Sequence, residues 1–150
     1  ILCLRSNSRM RMPANKRTDA YLDVVEQAGL PALVREVEFV KPDDEKSAVV
    51  AKILDENPDI DGIFAGDDTM AAICLNVMKQ RGLSAPDDIK VVGADGARRT
   101  MTFMPDLTTV RQDIDRIGEL AAQSIIALIN GDNPESNIKL PVELIEGKTA

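Results

Sequence analysis

The chain has no histidine among its 150 residues and only two cysteines. Without an imidazole, Ser-His and Cys-His nucleophile pairs are excluded, and so is nearly all zinc chemistry. No Walker phosphate loop (G-x-x-x-x-G-K) and no dinucleotide fingerprint (G-x-G-x-x-G) occurs. No apolar run approaches the roughly 20 residues that cross a bilayer, so no membrane partner is expected. Basic charge is also short. Eighteen Lys and Arg face 25 Asp and Glu, for a formal net charge of −7. Phosphate contacts need a basic face, so these residues argue against nucleic-acid binding of their own.

Cys3 falls in a strand-like segment and Cys74 on an apolar helical face. Both read as buried thiols, which suits a reducing, cytoplasmic setting. Ile1 to Leu4 are already strand-like and no charged leader precedes them. The expectation is therefore no signal peptide, and a chain cut from a longer protein.

What is present is an ordinary globular composition, 44% apolar and 29% charged, in a length that suits one domain. The periodicity predicts a strand over Ile1–Leu4, a polar stretch from Arg5 to Met12, and a helix from Pro13 to about Ala28. The inward residues of that helix are expected to be Ala20, Tyr21, Val24, Val25 and Ala28, with Gly29 as its terminal glycine. A second strand is expected from Leu33 to Val40. A second helix opens at Pro42-Asp43-Asp44 and stops at Asn57-Pro58. Gly62–Ala65 reads as a buried strand, and Asp68 stands where the cap of a third helix belongs. Met70, Ile73, Cys74, Val77 and Met78 share one face of that helix, which ends at Lys79-Gln80-Arg81-Gly82.

Asp88–Ala94 is a fourth strand, Asp95-Gly96 a turn, and Ala97–Pro105 irregular or a short helix. After a short extended piece at Leu107–Val110, Asp113 caps a long helix with Ile114, Ile117, Ala121, Ile125, Leu128 and Ile129 inward. Ile138–Leu140 and Val142–Ile145 read as two short strands around Pro141 at a sheet edge. Four successive βα units define a doubly wound α/β fold, a parallel sheet with helices on both faces.

Strands of a parallel sheet point one way, so the residues after each strand share a rim. That rim gathers Arg5 to Met12, Asp43 and Asp44, Asp67 and Asp68, Asp95, and Arg17 from the first helix. Guanidinium donors and carboxylate acceptors together match vicinal hydroxyls, each of which both donates and accepts. Each residue also has a plainer reading. Asp68 and Asp113 cap helices, Asp43 and Asp44 pair a cap with a solvated neighbour, Arg17 is a surface residue, and Asp95 forms a turn. A second reading gathers Mg²⁺ on Asp67, Asp68 and Asp95, as in a phosphoacceptor receiver domain. That domain would also place a lysine after a late strand, where this chain has Asp95-Gly96 and then Arg98-Arg99.

Several ordered blocks carry a resemblance. Phe64-Ala65-Gly66-Asp67-Asp68-Thr69-Met70-Ala71 resembles the motif in which LacI/GalR-type repressors place a polar residue and an Asp before Met-Ala. Gly82-Leu83, Pro86-Asp87-Asp88-Ile89 and Val91-Val92-Gly93-Ala94-Asp95 resemble the family's G-L-x-x-P-x-D-I-x-V-V-G-x-D block. Pro105-Asp106-Leu107-Thr108-Thr109-Val110-Arg111-Gln112 is similar to its P-x-L-T-T-V-x-Q signature. Ile117-Gly118 and Leu140–Ile145 match the following helix and terminal strands. Arg17 with Tyr21, Ala28 and Gly29 is similar to the family's R-x-x-G-aromatic helix, with Ala20 in place of the glycine.

The resemblance implies a type I periplasmic-binding-protein-like effector domain, mainly its C-terminal subdomain. The helix-turn-helix headpiece and most of the N-terminal subdomain would lie outside the chain. It implies a small-molecule effector, a sugar or similar small polar molecule, held by Arg17, Asp67 and Asp95, with no cofactor, no metal and no catalysis. Asp67 stands where many members carry Asn. The pocket aromatic of the family would align near Asp44, which is not aromatic and counts as a further candidate contact. The resemblance also implies a homodimer, through Ala72, Leu75, Asn76 and Lys79 together with Met101, Phe103 and Met104, and operator DNA bound through the absent headpiece. An extracytoplasmic sugar-binding protein of a transporter shares the fold and is the alternative.

Overall fold

The structure, a computed structural model, describes residues 1–7 and 13–150. Six strands form one sheet in the order β2-β1-β3-β4-β5-β6. They are β1 (Leu2–Asn7), β2 (Leu33–Glu38), β3 (Gly62–Ala65), β4 (Lys90–Asp95), β5 (Thr108–Gln112) and β6 (Val142–Ile145). Among the described residues five helices intervene: α1 (Pro13–Gln27), α2 (Asp43–Glu56), α3 (Asp68–Gln80), α4 (Arg98–Phe103) and α5 (Ile114–Ile129). The first five strands pair in parallel and β6 runs antiparallel to β5. The chain reverses its direction of winding between β1 and β3, and doubly wound sheets bind ligands at such a switch point.

The core lies mainly on one face. Leu2 and Leu4 of β1, Ile63 and Ala65 of β3 and Val91 of β4 meet Val50, Ile53 and Leu54 of α2. All five residues expected on the inner face of α3 (Met70, Ile73, Cys74, Val77 and Met78) are buried there. Each fully buried large side chain of that stripe contributes roughly 1.5–3 kcal/mol to this face. The other face is thinner, with Cys3 packing against Tyr21 and Val25 of α1. Both thiols are buried and free. Burial pushes the Cys74 thiol up to about 12, so it stays protonated and inert.

Several expectations are corrected. The first strand extends to Asn7 because Arg5, Ser6 and Asn7 pair with Glu36, Val37 and Glu38 of β2. Ser8 to Met12, the rest of the expected polar stretch, lies outside the described residues. On α1 only Tyr21 and Val25 of the expected set turn inward, with Thr18; Ala20, Val24 and Ala28 are exposed. The second strand stops at Glu38, and Phe39 and Val40 form the turn that follows. Asp113 caps α5 as expected, accepting from the Arg116 N–H at 2.9 Å. No residue of α5 is buried, however, and Ile114, Ile117, Ala121, Ile125, Leu128 and Ile129 are all exposed. Val142–Ile145 forms the edge strand, whereas Ile138–Leu140 does not enter the sheet.

Candidate functional site

The carboxyl ends of β1, β3 and β4 open onto a concavity of about 500 Å³. Ser6 of β1, Gly66 and Asp67 after β3, Asp95 at the end of β4 and Gln112 at the end of β5 all line it. Arg17 enters from α1, Phe39 from the β2–α2 turn and Lys46 from the first turns of α2. Three of the expected site residues, Arg17, Asp67 and Asp95, therefore come together.

Arg17 ties two strand ends. Its Nη1 donates to the Gly66 carbonyl and its Nη2 to Asp95 Oδ1, each at 2.5 Å. Gln112 Nε2 donates to the same Oδ1 at 2.8 Å. These are charge-assisted contacts in a half-buried setting, the kind that fix orientation as well as add energy. Asp95 itself sits at φ 117°, a region that side-chain-bearing residues avoid.

Of the two adjacent carboxylates, Asp67 keeps its expected place at the concavity and also takes the cap expected of Asp68. Asp67 is the residue with extended backbone before α3, and its Oδ1 accepts the Met70 N–H at 2.8 Å. Its Oδ2 accepts from Ser6 Oγ at 3.2 Å, bridging the switch point between β1 and β3. It therefore both caps α3 and faces the concavity. Asp68, expected as the cap, is only 3% exposed. Its Oδ2 accepts the Gly96 N–H at 2.9 Å and its Oδ1 accepts from Thr109 Oγ1 at 2.5 Å. Burial raises its pKa, the Thr109 and Gly96 hydrogen bonds oppose the rise, and the Asp95 charge adds to it.

Asp44 does not reach this site. It is exposed on the first turn of α2, where Pro42 rather than Asp43 or Asp44 is the cap residue, and it lines a separate groove between α2 and α3. The site aromatic is Phe39, with Lys46 Nζ 5.8 Å from the centre of its ring. Phe39, Lys46 and Gln112 are residues that sequence reasoning missed, whereas Ser6 falls within the Arg5 to Met12 stretch expected on the rim. The signal for Phe39 was its place directly after a strand, hidden by extending that strand through Val40. Gln112 stood inside the P-x-L-T-T-V-x-Q block without a role attached to it.

Of the expected dimer residues, Asn76 and Lys79 are exposed, Ala72 and Leu75 are half-buried on α3, and Phe103 is 76% exposed at the end of α4. Met101 is half-buried, and Met104 packs partly against the core. Among the described residues no group of three or more His, Cys, Asp or Glu could hold a metal ion. Asp68 in particular turns its carboxylate toward Gly96 and Thr109, not toward Asp67. None of the helices is long and apolar enough to cross a membrane, among the described residues.

A mostly parallel sheet wound both ways, with a polar cluster at its switch point, defines a doubly wound α/β protein whose strand ends suit a small ligand. Residues 1–150 match the family described as periplasmic binding protein-like domain. The ribose operon repressor of Halalkalibacterium halodurans is 31% identical over 91% of this chain. The sucrose operon repressor of Lactococcus lactis subsp. lactis is 32% identical over 98% of it. The chain spans 41% and 45% of the lengths of these two proteins. Among solved structures, a LacI family transcriptional regulator from Arthrobacter sp. FB24 in complex with lactose aligns with a TM-score of 0.82 at 25% identity, covering 99% of this chain and 56% of that one. The chain belongs to the periplasmic binding protein-like domain family, as an effector-binding domain of the LacI/GalR type.

Proposed function

We propose that this chain is the effector-sensing part of a LacI-type transcriptional repressor, and that it binds rather than catalyses. The effector, a sugar or similar small polar molecule, occupies the concavity at the ends of β1, β3 and β4, in contact with Arg17, Asp67 and Asp95. The observation that carries this reading is the hydrogen-bonded set of Arg17, Asp95 and Gln112, in one concavity with Asp67 and Phe39. Donors and acceptors suit hydroxyls, and an aromatic ring suits the apolar face of a sugar. The names of the relatives, repressors of ribose and sucrose operons, support a sugar over other polar ligands and a repressor over a transporter component.

Ligand held there favours one arrangement of this part against the rest of the protein. Differential affinity for two arrangements then changes how the DNA-binding segment is presented. That segment, and most of a second subdomain, belong to the protein outside this chain, in keeping with the chain spanning under half of each repressor. Such a regulator works in the cytoplasm as a homodimer. Ala72, Leu75, Asn76 and Lys79 on α3, with Met101, Phe103 and Met104, form the contact, and the exposure of Phe103 supports this.

The test is operator binding by the intact protein, with D-ribose and sucrose as probes. Wild-type protein is expected to change its operator affinity with one of them, whereas Asp95→Ala binds the operator and no longer responds. An undiminished response in that variant overturns the assignment.

A further inference from the structure

We infer that Asp68, which does not line the concavity, is a positioning residue for it: its buried carboxylate holds the Asp95-Gly96 turn in the conformation that delivers Asp95 to Arg17 and Gln112. This rests on the effector-site reading above and extends it to a residue that touches no ligand.

Asp95 at φ 117° occupies a strained backbone region that persists only where the surroundings enforce it. Gly96 follows at φ +58°, pressed so closely on β5 that a Cβ there would lie 2.5 Å from the Arg111 Cβ. The N–H between these two unusual residues is directed at Asp68 Oδ2. Asp68 is itself anchored from two other elements, by its place at the start of α3 and by the Thr109 hydroxyl of β5. The third element makes room for it. A Cβ on Gly93 of β4 would stand 2.6 Å from Asp68 Oδ1, so any side chain there would displace the carboxylate.

Helix capping does not account for this arrangement, because Asp67 already caps α3. Burying a carboxylate is costly unless its oxygens are satisfied, and here they are satisfied by the turn and by β5. The chain therefore spends a buried charge on fixing one turn, and that turn carries Asp95.

The test reads the geometry directly and needs no ligand, so a failed sugar assignment leaves it intact. In the intact protein, the Asp95 carboxyl carbon, the Arg17 Nε–H and the Gly96 amide are followed by nuclear magnetic resonance. Asp68→Ala is expected to move all three signals, with the Gly96 amide proton shifting upfield as its carboxylate acceptor goes. Core methyl signals of Leu4 and Ile63 stay in place. Asp68→Asn, which keeps one acceptor oxygen, restores the Arg17 and Asp95 signals. Where Asp68→Ala fails to fold, Thr109→Val serves instead: it frees the carboxylate from β5 and shifts the Gly96 and Asp95 signals part of the way. Unchanged Asp95 and Arg17 signals in a folded Asp68→Ala protein, or in Thr109→Val where the alanine variant does not fold, overturn the inference.

Discussion

Replacing Arg17 removes a side chain that ties the end of β3 to the end of β4 across the candidate site. Its guanidinium reaches the Gly66 carbonyl and Asp95 Oδ1 at once, from two different nitrogens. Hydrogen bonds to charged groups contribute roughly 1.5–3 kcal/mol each. The Arg17 and Asp95 side chains are 24% and 34% exposed, so solvent screening trims the ionic part. A coupling of about 1–2 kcal/mol between the two residues follows. The assay is a double-mutant cycle of Arg17→Ala and Asp95→Ala, by urea unfolding of the intact protein. Arg17→Lys is expected to lose most of what Arg17→Ala loses, because an ammonium is a point charge and cannot span both acceptors. A coupling below about 0.3 kcal/mol, the range in which independent sites simply add, would refute the reasoning.

Three further outcomes follow from the same geometry. Phe39 is 50% exposed, so Phe39→Ala should change unfolding stability by no more than about 0.5 kcal/mol, yet weaken sugar binding about tenfold in calorimetry. Thr149 Oγ1 donates to the Val91 carbonyl at 2.7 Å and accepts the Thr108 N–H at 3.0 Å, joining the end of the chain to β4 and β5. Thr149→Val leaves two buried backbone groups unpaired and should cost about 2–3 kcal/mol in urea unfolding. Asp68 has a pKa raised by burial, so its stabilising contribution is complete below the ordinary carboxylate range and is lost as pH rises through the folded-state value. Unfolding curves of wild type and Asp68→Asn should therefore diverge in favour of the amide from about pH 4 upward, and parallel curves across that window would contradict the shift.

How much of this was legible in the sequence depends on the kind of signal. The α3 stripe was fully readable because a 3.6-residue period leaves one solution, and all five of its residues are buried. The strand-end rim was readable for the same topological reason. The Asp67-Asp68 pair was not, since adjacent aspartates make equal cap candidates until the backbone shows which is extended; Asp67, at φ −154° and ψ 168°, is that residue. Asp68 then had no local signal at all, because its partners Gly96 and Thr109 lie 28 and 41 residues away.

Phe39 was hidden by a boundary error of two residues, the commonest kind in reading strand ends. The long helix failed differently. Its amphipathic pattern was read correctly as apolar, but a pattern says which residues call for cover, not where the cover is. Ile125, Leu128 and Ile129 are exposed on this chain.

The central claim is that the concavity at the ends of β1, β3 and β4 is the effector site. The structure of the intact protein with its sugar bound tests this most directly. The account predicts sugar hydroxyls within about 3.2 Å of the Asp95 and Asp67 carboxylates and the Arg17 guanidinium, with a ring face against Phe39. A sugar seated instead in the groove between α2 and α3, with Arg17, Gln112 and Asp95 still bonded only to one another, would contradict it.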